Sequence, residues 1–145
     1  MDLEYLLSVL TAKDTKQAYG ALPELERLSK ESNDLYPYTE QFADMVEDKA
    51  YAVRVRGFRL FCNQARWDGD GLIDGHLDRA LAILEDEKPT AVRQALAALL
   101  DLVPYKRNLW PAIRERVATM DLKRYQDSMT PLIEKDIRAL LESMK

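Results

Sequence analysis

Asp48–Arg54 reads DKAYAVR, and Glu87–Arg93, 39 positions later, reads EKPTAVR. Each copy places an acidic residue six positions before an arginine that follows a valine, and each continues into about a dozen mostly apolar residues. A fixed period near 40 residues is typical of stacked helix pairs, because one pair cannot bury its apolar face alone and packs on its neighbour. The repeat therefore predicts an all-α chain built as an α-α superhelix.

Apolar residues outside the two copies also recur at spacings of three and four, and no alternating strand pattern is present. Asp14 and Gln17 form the pattern of a capping box that opens the second helix. Pro23 lies inside this helix and predicts a kink, or a helix that begins near Pro23. We predict one domain over residues 1–145, with about four helix pairs at approximately 1–33, 35–67, 72–104 and 108–145.

The composition excludes several classes of protein. The chain has 145 residues, 32% of them charged, and a net charge of -4, which argues against binding to the phosphate backbone of nucleic acids. The first residues are acidic and their apolar run is interrupted, so we expect no secretion signal, no membrane partner and a cytoplasmic address. The single cysteine, Cys62, agrees with a reducing compartment.

The pattern Asp/Glu-x-x-x-x-Val-Arg, with Pro89 opening the helix in one copy, resembles the HEAT repeat. Residues 51–60, 85–96 and 125–137 are similar to short bacterial proteins, largely from Firmicutes, that often carry a SufBD-type iron–sulphur assembly label. The HEAT resemblance implies stacked helix pairs whose second helices line a concave face, with atypical first and last pairs. Because only one cysteine is present, we expect no cluster ligation and no cofactor.

The two arginines of the repeated pattern are interpreted as structural. A helical wheel places Arg54 inside the apolar arc of its helix, where a charge needs a partner. Asp48 and Glu87, each six residues upstream, are the predicted partners of Arg54 and Arg93. The HEAT resemblance implies that such pairs form a ladder between adjacent repeats.

The opposite arc of the same helix predicts a basic face, formed by Arg56, Arg59, Asn63 and Arg66. The equivalent positions 39 residues later are Ala95, Ala98, Leu102 and Tyr105. With the HEAT resemblance, these two sets predict a shallow apolar floor beside a row of arginines, ending at Lys106 and Arg107. An acidic peptide or a partner helix with an apolar stripe suits such a surface. A solvated basic face, or alanines covered by their own neighbours, are the alternatives.

Two stretches resemble metal sites but do not meet the requirements of one. Counted from Asp68, the fifth, sixth and twelfth positions of the loop are Leu72, Ile73 and Arg79, which do not satisfy a calcium-binding loop. The loop is interpreted as a turn with helix caps. His76 is the only histidine, so no zinc or di-iron site is expected.

The chain is therefore expected to be a non-enzymatic repeat scaffold that binds an unidentified protein or peptide through its concave face, with no catalytic residues. The alternative is a nucleic-acid-associated module similar in shape to the HEAT-like alkylpurine DNA glycosylases. In that case Arg56, Arg59 and Arg66 would contact phosphates and a tryptophan would contact a base. A third hypothesis is homodimerisation through Ala95, Ala98 and Leu102, so that the chain is a monomer or a weak homodimer.

Overall fold

The chain is all-helical in the computed structural model, which describes residues 3–12 and 15–145 and contains no strand in those ranges. Two helices fall within each of the four predicted ranges. Among the described residues, none of these helices combines the length and the apolar composition needed to cross a membrane. The helices are α1 (Leu3–Val9), α2 (Thr15–Glu31), α3 (Thr39–Met45), α4 (Tyr51–Asn63), α5 (Leu72–Ala80), α6 (Pro89–Leu102), α7 (Trp110–Ala118) and α8 (Thr130–Ser143).

Proline has different effects at different positions of these helices. Pro89 is the first residue of α6, where its missing N–H removes no helical hydrogen bond. Pro23 lies inside α2, which begins eight residues earlier at Thr15, so the prediction of a helix that begins near Pro23 is wrong. Pro23 has no N–H to donate to the carbonyl oxygen of Tyr19, one turn earlier in the helix. The side chains of Pro23 and Tyr19 are both exposed, so the missing hydrogen bond is on the solvent side of α2. The predicted capping box at Asp14 lies outside the described residues.

The even-numbered helices pack side by side in chain order. Helix α4 packs against α2 on one side and α6 on the other, and α6 in turn packs against α8. Helix α3 packs against both α4 and α5. Helix α4 is therefore enclosed by neighbours, and nine of its residues are buried.

One apolar cluster connects these layers and extends from Leu7 in α1 to Met144 at the end of α8. The largest buried side chains at its centre are Phe42, Phe58 and Phe61. The rings of Phe58 and Phe61 stack with their centroids 6.3 Å apart. Each such side chain contributes roughly 1.5–3 kcal/mol by leaving water, which accounts for the tight association of α3 with α4.

Gly57 permits the close approach of these two helices. A Cβ atom at this position would lie 2.5 Å from Cβ of Met45 and 2.7 Å from the carbonyl oxygen of Phe42. Both atoms belong to α3, and neither a Cβ atom nor a backbone oxygen moves when a side chain rotates, so no rotation relieves the clash. A residue without a side chain is therefore required at position 57.

Replacing Gly57 by alanine is expected to lower the free energy of unfolding by about 1–3 kcal/mol, because α3 and α4 must separate to accept the methyl group. Urea unfolding measures this change. Gly20→Ala is the matched control, because nothing lies within 4 Å of a Cβ placed there and alanine favours the helix by up to about 1 kcal/mol. Equal stability of Gly57→Ala and the natural protein would contradict the close packing.

Candidate functional site: a groove across α2, α4 and α6

The basic face predicted on α4 is not an exposed row. Arg56 is only 6% exposed, and its Nη1 donates a hydrogen bond to the Leu10 carbonyl oxygen at 2.8 Å. Asn63 is also buried, with its Nδ2 3.3 Å from Oδ2 of Asp101. The prediction of a solvent-facing surface is wrong for both residues, because α4 lies between α2 and α6 and has little free surface.

Arg59 lies partly exposed where α2, α4 and α6 meet. Its Nε and Nη2 donate to the two carboxylate oxygens of Glu26 on α2, at 3.2 and 2.7 Å. Its Nη1 donates to Oε1 of Gln94 on α6, at 3.1 Å. A single side chain thus links three helices, and its charge is matched by Glu26.

The remaining members of the predicted surface are divided between the interior and the outside. Ala95, Ala98 and Leu102 are buried, so the apolar patch expected for a partner or a second copy is covered by this chain's own helices. Tyr105 is exposed, and the Arg66 guanidinium lies over its ring at 5.2 Å from the centroid.

The surface of α2, α4 and α6 carries two adjoining clefts. The first, named the Arg59 cleft, has a volume of about 530 Å³. It is lined by Pro23, Glu26, Arg27, Lys30, Arg59, Gln94, Ala97, Ala98 and Asp101. Of the predicted binding residues, Arg59 and Ala98 contribute to it.

The second cleft, named the Tyr19–Tyr51 cleft, has a volume of about 330 Å³. It is lined by Ala18, Tyr19, Leu22, Pro23, Tyr51, Ala52, Val55, Arg56, Arg59, Thr90 and Gln94. Pro23, Arg59 and Gln94 line both clefts, which together form one groove. Tyr19 is 78% exposed and Tyr51 is 43% exposed, so two aromatic rings stand at the edges of its apolar part.

The repeat register explains why these residues meet. Tyr51 and Thr90 occupy equivalent positions of the two copies, as do Val55 and Gln94, and both pairs line the Tyr19–Tyr51 cleft. Sequence reasoning missed Tyr19, which belongs to α2 and to neither copy. A large aromatic residue beside Lys16, Gln17 and Gly20 on the polar face of an amphipathic helix was the available signal.

The residues that line the groove are more basic than the chain as a whole, although Arg27 and Arg59 already pair with glutamates. Four basic residues and two acidic residues line the two clefts, whereas the whole chain has a net charge of -4. The Tyr19–Tyr51 cleft contains two arginines, Arg56 and Arg59, and no acidic residue. Positive charge beside apolar surface favours a ligand that is both acidic and apolar.

The arginines of the two sequence copies pair with acids of the following pair of helices. Nε of Arg54 lies 2.7 Å from Oδ2 of Asp86, and Nε of Arg93 lies 2.7 Å from Oδ2 of Asp136. The prediction of Asp48 and Glu87 as carboxylate partners is therefore wrong. Asp86 lies in the turn before α6 and Asp136 lies in α8.

Asp48 still contributes to the position of Arg54, through its backbone. Nη1 of Arg54 donates to the carbonyl oxygens of Asp48 and Lys49, each at 2.9 Å. The hydrogen bond from Arg54 to the buried Asp86 carboxylate raises the pKa of the arginine. The Arg54–Asp86 pair thus connects α4 to the turn before α6, and Nε, Nη1 and Nη2 of the arginine each donate a hydrogen bond.

Asp68, the first residue of the apparent calcium loop, is the centre of a polar cluster with Tyr36, Asp74 and Lys106, named the Asp68 hub. Its Oδ1 and Oδ2 accept hydrogen bonds from the backbone N–H groups of Leu72 and Ile73, at 2.9 and 3.0 Å. Nζ of Lys106 lies 2.8 Å from Oδ2, and the Tyr36 hydroxyl donates to Oδ1 at 2.5 Å. The carboxylate caps the first turn of α5, which confirms the interpretation of this loop as a turn with a helix cap.

The pKa values at this hub follow from burial and from pairing. Burial raises the pKa of the Asp68 carboxyl. The hydrogen bonds from Lys106, Tyr36 and the two backbone N–H groups lower it by more than burial raises it, so the pKa lies below its usual value. Burial lowers the pKa of Lys106, and its ion pairs with Asp68 and Asp74 outweigh that effect and raise it. Lys106 therefore belongs to this hub, and the expectation that it ends the arginine row is wrong.

Cys62 and His76, the other residues that could react or bind a metal ion, are in surroundings that do not favour either role. Cys62 is fully buried, and burial raises the pKa of its thiol well above the usual value, which disfavours the reactive thiolate. Nδ1 of His76 accepts a hydrogen bond from Nε of Arg79 at 3.2 Å. Within residues 3–12 and 15–145, no three His, Cys, Asp or Glu side chains form a set that could hold a metal ion.

Comparisons of the chain with protein-family models, with curated proteins and with solved structures give no match. Its function is therefore argued from its own residues.

Arg54→Ala is expected to lower the free energy of unfolding by about 3 kcal/mol, because the buried Asp86 carboxylate loses its counter-ion. Arg27→Ala is the matched control and should leave stability nearly unchanged, since the ion pairs of Arg27 with Glu24 and Glu31 are exposed on α2. Thermal and urea unfolding measure both variants. A melting curve of Arg54→Ala like that of the control would reject the role of the pair.

The lowered pKa of Asp68 predicts that the protein loses stability in acid. A carboxyl whose pKa is lower in the folded state contributes stability above its unfolded pKa, about 3.9, and this contribution is lost as the pH falls through the folded pKa. Asp68→Asn should be less stable at pH 7 and should lose less stability than the natural protein between pH 7 and pH 3. Urea unfolding at a series of pH values measures this dependence. The exposed Asp127→Asn serves as control, and an unchanged pH dependence in Asp68→Asn would refute the assignment.

Proposed function

We propose that this chain is a non-enzymatic, HEAT-like helical scaffold that binds an acidic protein or peptide segment in the groove across α2, α4 and α6. The observation that carries the proposal is the groove itself, which combines two exposed tyrosines, an apolar floor and a positive lining in an acidic chain. We also propose a cytoplasmic address, because a single buried cysteine suits a reducing compartment.

Two features of the packing support the repeat architecture. The even-numbered helices are neighbours in chain order, as in a stack of helix pairs whose second helices form one layer. The ion pairs Arg54–Asp86 and Arg93–Asp136 each connect one copy of the repeated pattern to the repeat that follows it. A stack of this kind presents the equivalent positions of successive helices side by side, which favours the binding of an extended segment.

The chemistry of the groove defines the partner. Apolar and aromatic side chains of the segment suit the Tyr19–Tyr51 cleft, where two tyrosine rings offer large rigid contact areas. Acidic side chains suit the Arg59 cleft, where Lys30 is exposed at the rim. The expected ligand is therefore an acidic segment that carries apolar residues.

The described residues favour neither the nucleic-acid alternative nor a dimer through Ala95, Ala98 and Leu102. Arg56 is buried and Arg59 is paired with Glu26, so neither offers an exposed charge to a nucleic-acid backbone. Nε1 of Trp67 donates to the Ser29 carbonyl oxygen at 2.7 Å. A phosphate-binding surface needs several exposed basic residues together. The groove contains too few of them to neutralise a run of phosphates.

The first test is selection of peptides from a random library displayed with free C-termini against the full chain, followed by affinity measurement with one synthetic peptide. We expect enrichment of acidic and apolar residues, and at least tenfold weaker binding by Tyr19→Ala, because the highly exposed ring contributes contact area and little to the core. Lys30→Glu should also weaken binding, by repulsion of the acidic peptide.

Two control variants complete this design. Tyr5→Ala removes a similarly exposed ring from α1, and Lys135→Glu reverses an exposed charge on α8; neither residue lines the groove. Both should bind the peptide with the affinity of the natural protein. Equal affinity for all five proteins would place the site elsewhere, and failure to enrich any peptide would contradict a peptide-binding function.

A further inference from the structure

Arg56 differs in its partners from the arginines that form ion pairs between helices. Arg54, Arg59 and Arg93 each form a close ion pair with a carboxylate. Within the described residues, no carboxylate lies within ion-pair distance of Arg56, whose hydrogen bond goes to the neutral carbonyl of Leu10. A guanidinium group has five N–H donors, so this one bond leaves most of its capacity unused.

Arg56 also lines the Tyr19–Tyr51 cleft while being more than nine-tenths buried. A buried charge without a counter-ion is costly, because water no longer solvates it and nothing replaces that water. Burial accordingly lowers the pKa of Arg56, in contrast to the raised pKa values of the paired Arg54 and Arg93. An anion that enters the cleft would supply a counter-ion that the described residues do not provide.

The surroundings of Arg56 select the rest of the ligand. Leu22, Val55 and the two tyrosines provide an apolar wall on which an aliphatic or aromatic group can pack. Oε1 of Gln94 already accepts from Arg59, which leaves the Gln94 amide nitrogen as a further donor in the same cleft. An apolar wall beside a single guanidinium suits a carboxylate better than a phosphate, because the charge of a carboxylate equals that of Arg56 and the charge of a phosphate exceeds it.

The size of the cleft indicates how the two groups are connected. Its volume, about 330 Å³, lies at the lower end of the range for small-molecule sites, roughly 300–1,000 Å³. A cleft of this size accepts one residue that carries both groups more readily than two residues that carry one each. The last residue of a peptide has its carboxylate and its side chain on the same Cα atom.

We propose that the Tyr19–Tyr51 cleft binds the C-terminal carboxylate of a peptide whose last side chain is apolar, with Arg56 as the counter-ion. This inference rests on the proposed peptide-binding function and deepens it, because it identifies the part of the partner that enters this cleft. The remainder of the partner extends along the groove past Arg59.

The test uses the full chain with three defined probes and NMR detection of the arginine Nε–Hε groups and of the tyrosine rings. The probes are N-acetylphenylalanine, its C-terminal amide, and N-acetyl-aspartyl-phenylalanine amide. We expect N-acetylphenylalanine to shift the signals of Arg56 and Tyr19 and to bind at least tenfold more tightly than either amide, since only it carries both groups on one residue.

Two variants locate the interaction. Arg56→Gln should reduce the affinity for N-acetylphenylalanine at least tenfold, whereas Arg138→Gln, which removes an exposed arginine of α8 outside both clefts, should leave it unchanged. If Arg56→Gln does not fold, the comparison of acid and amide on the natural protein still decides. Equal binding of the acid and its amide would overturn the role of Arg56, and equal binding of the acid and the aspartyl probe would overturn the terminal source.

The carboxylate site can be disproved without disproving the proposed peptide-binding function. A selected peptide whose binding depends on Tyr19 but is unaffected by C-terminal amidation would leave the groove as the peptide site and remove this inference. Loss of affinity on amidation, together with loss in Arg56→Gln, would support both.

Discussion

The enclosure of α4 by its neighbours is the constraint on which the other features of this protein depend. Helix α4 packs against α2, α3, α5 and α6, and its contact with α3 is close enough to require glycine at position 57. Little of its surface reaches solvent, yet it carries three arginines, Arg54, Arg56 and Arg59. Each of these therefore either finds partners within the protein or faces the one free strip of the helix.

The paired arginines fix the order and spacing of the helices. Arg59 connects α2, α4 and α6 in a single set of hydrogen bonds, while Arg54 connects α4 to the turn before α6 and Arg93 connects α6 to α8. The hub at Asp68 joins the start of α5 to Lys106 beyond α6. Apolar packing supplies most of the stabilising free energy, but it is non-directional, and these directional contacts select one register among those that bury similar area.

The groove is a consequence of the same arrangement. The side-by-side packing of α4 and α6 brings equivalent positions of the two sequence copies together, so that Tyr51 and Thr90, and Val55 and Gln94, line one cleft. Helix α2 adds Tyr19 from outside the repeated pattern, and Arg56 lies at the cleft with a neutral hydrogen-bond partner. An aromatic edge, an apolar wall and a positive charge that no carboxylate of the described residues pairs with favour a ligand that is apolar and anionic, which is the basis of both proposals.

The amino-acid sequence determined the helices and their approximate limits, because their spacing of apolar residues, their prolines and the 39-residue repeat are local properties. It also indicated that Arg54 and Arg93 need partners, and that the Asp68 loop caps a helix. Only the tertiary structure decided that Asp86 and Asp136 are those partners, and that Arg56 is buried while Tyr19 is exposed at a cleft. A helical wheel divides a helix into one apolar and one polar face, and it cannot represent a central helix with neighbours on several sides, whose exposed strip is set by packing.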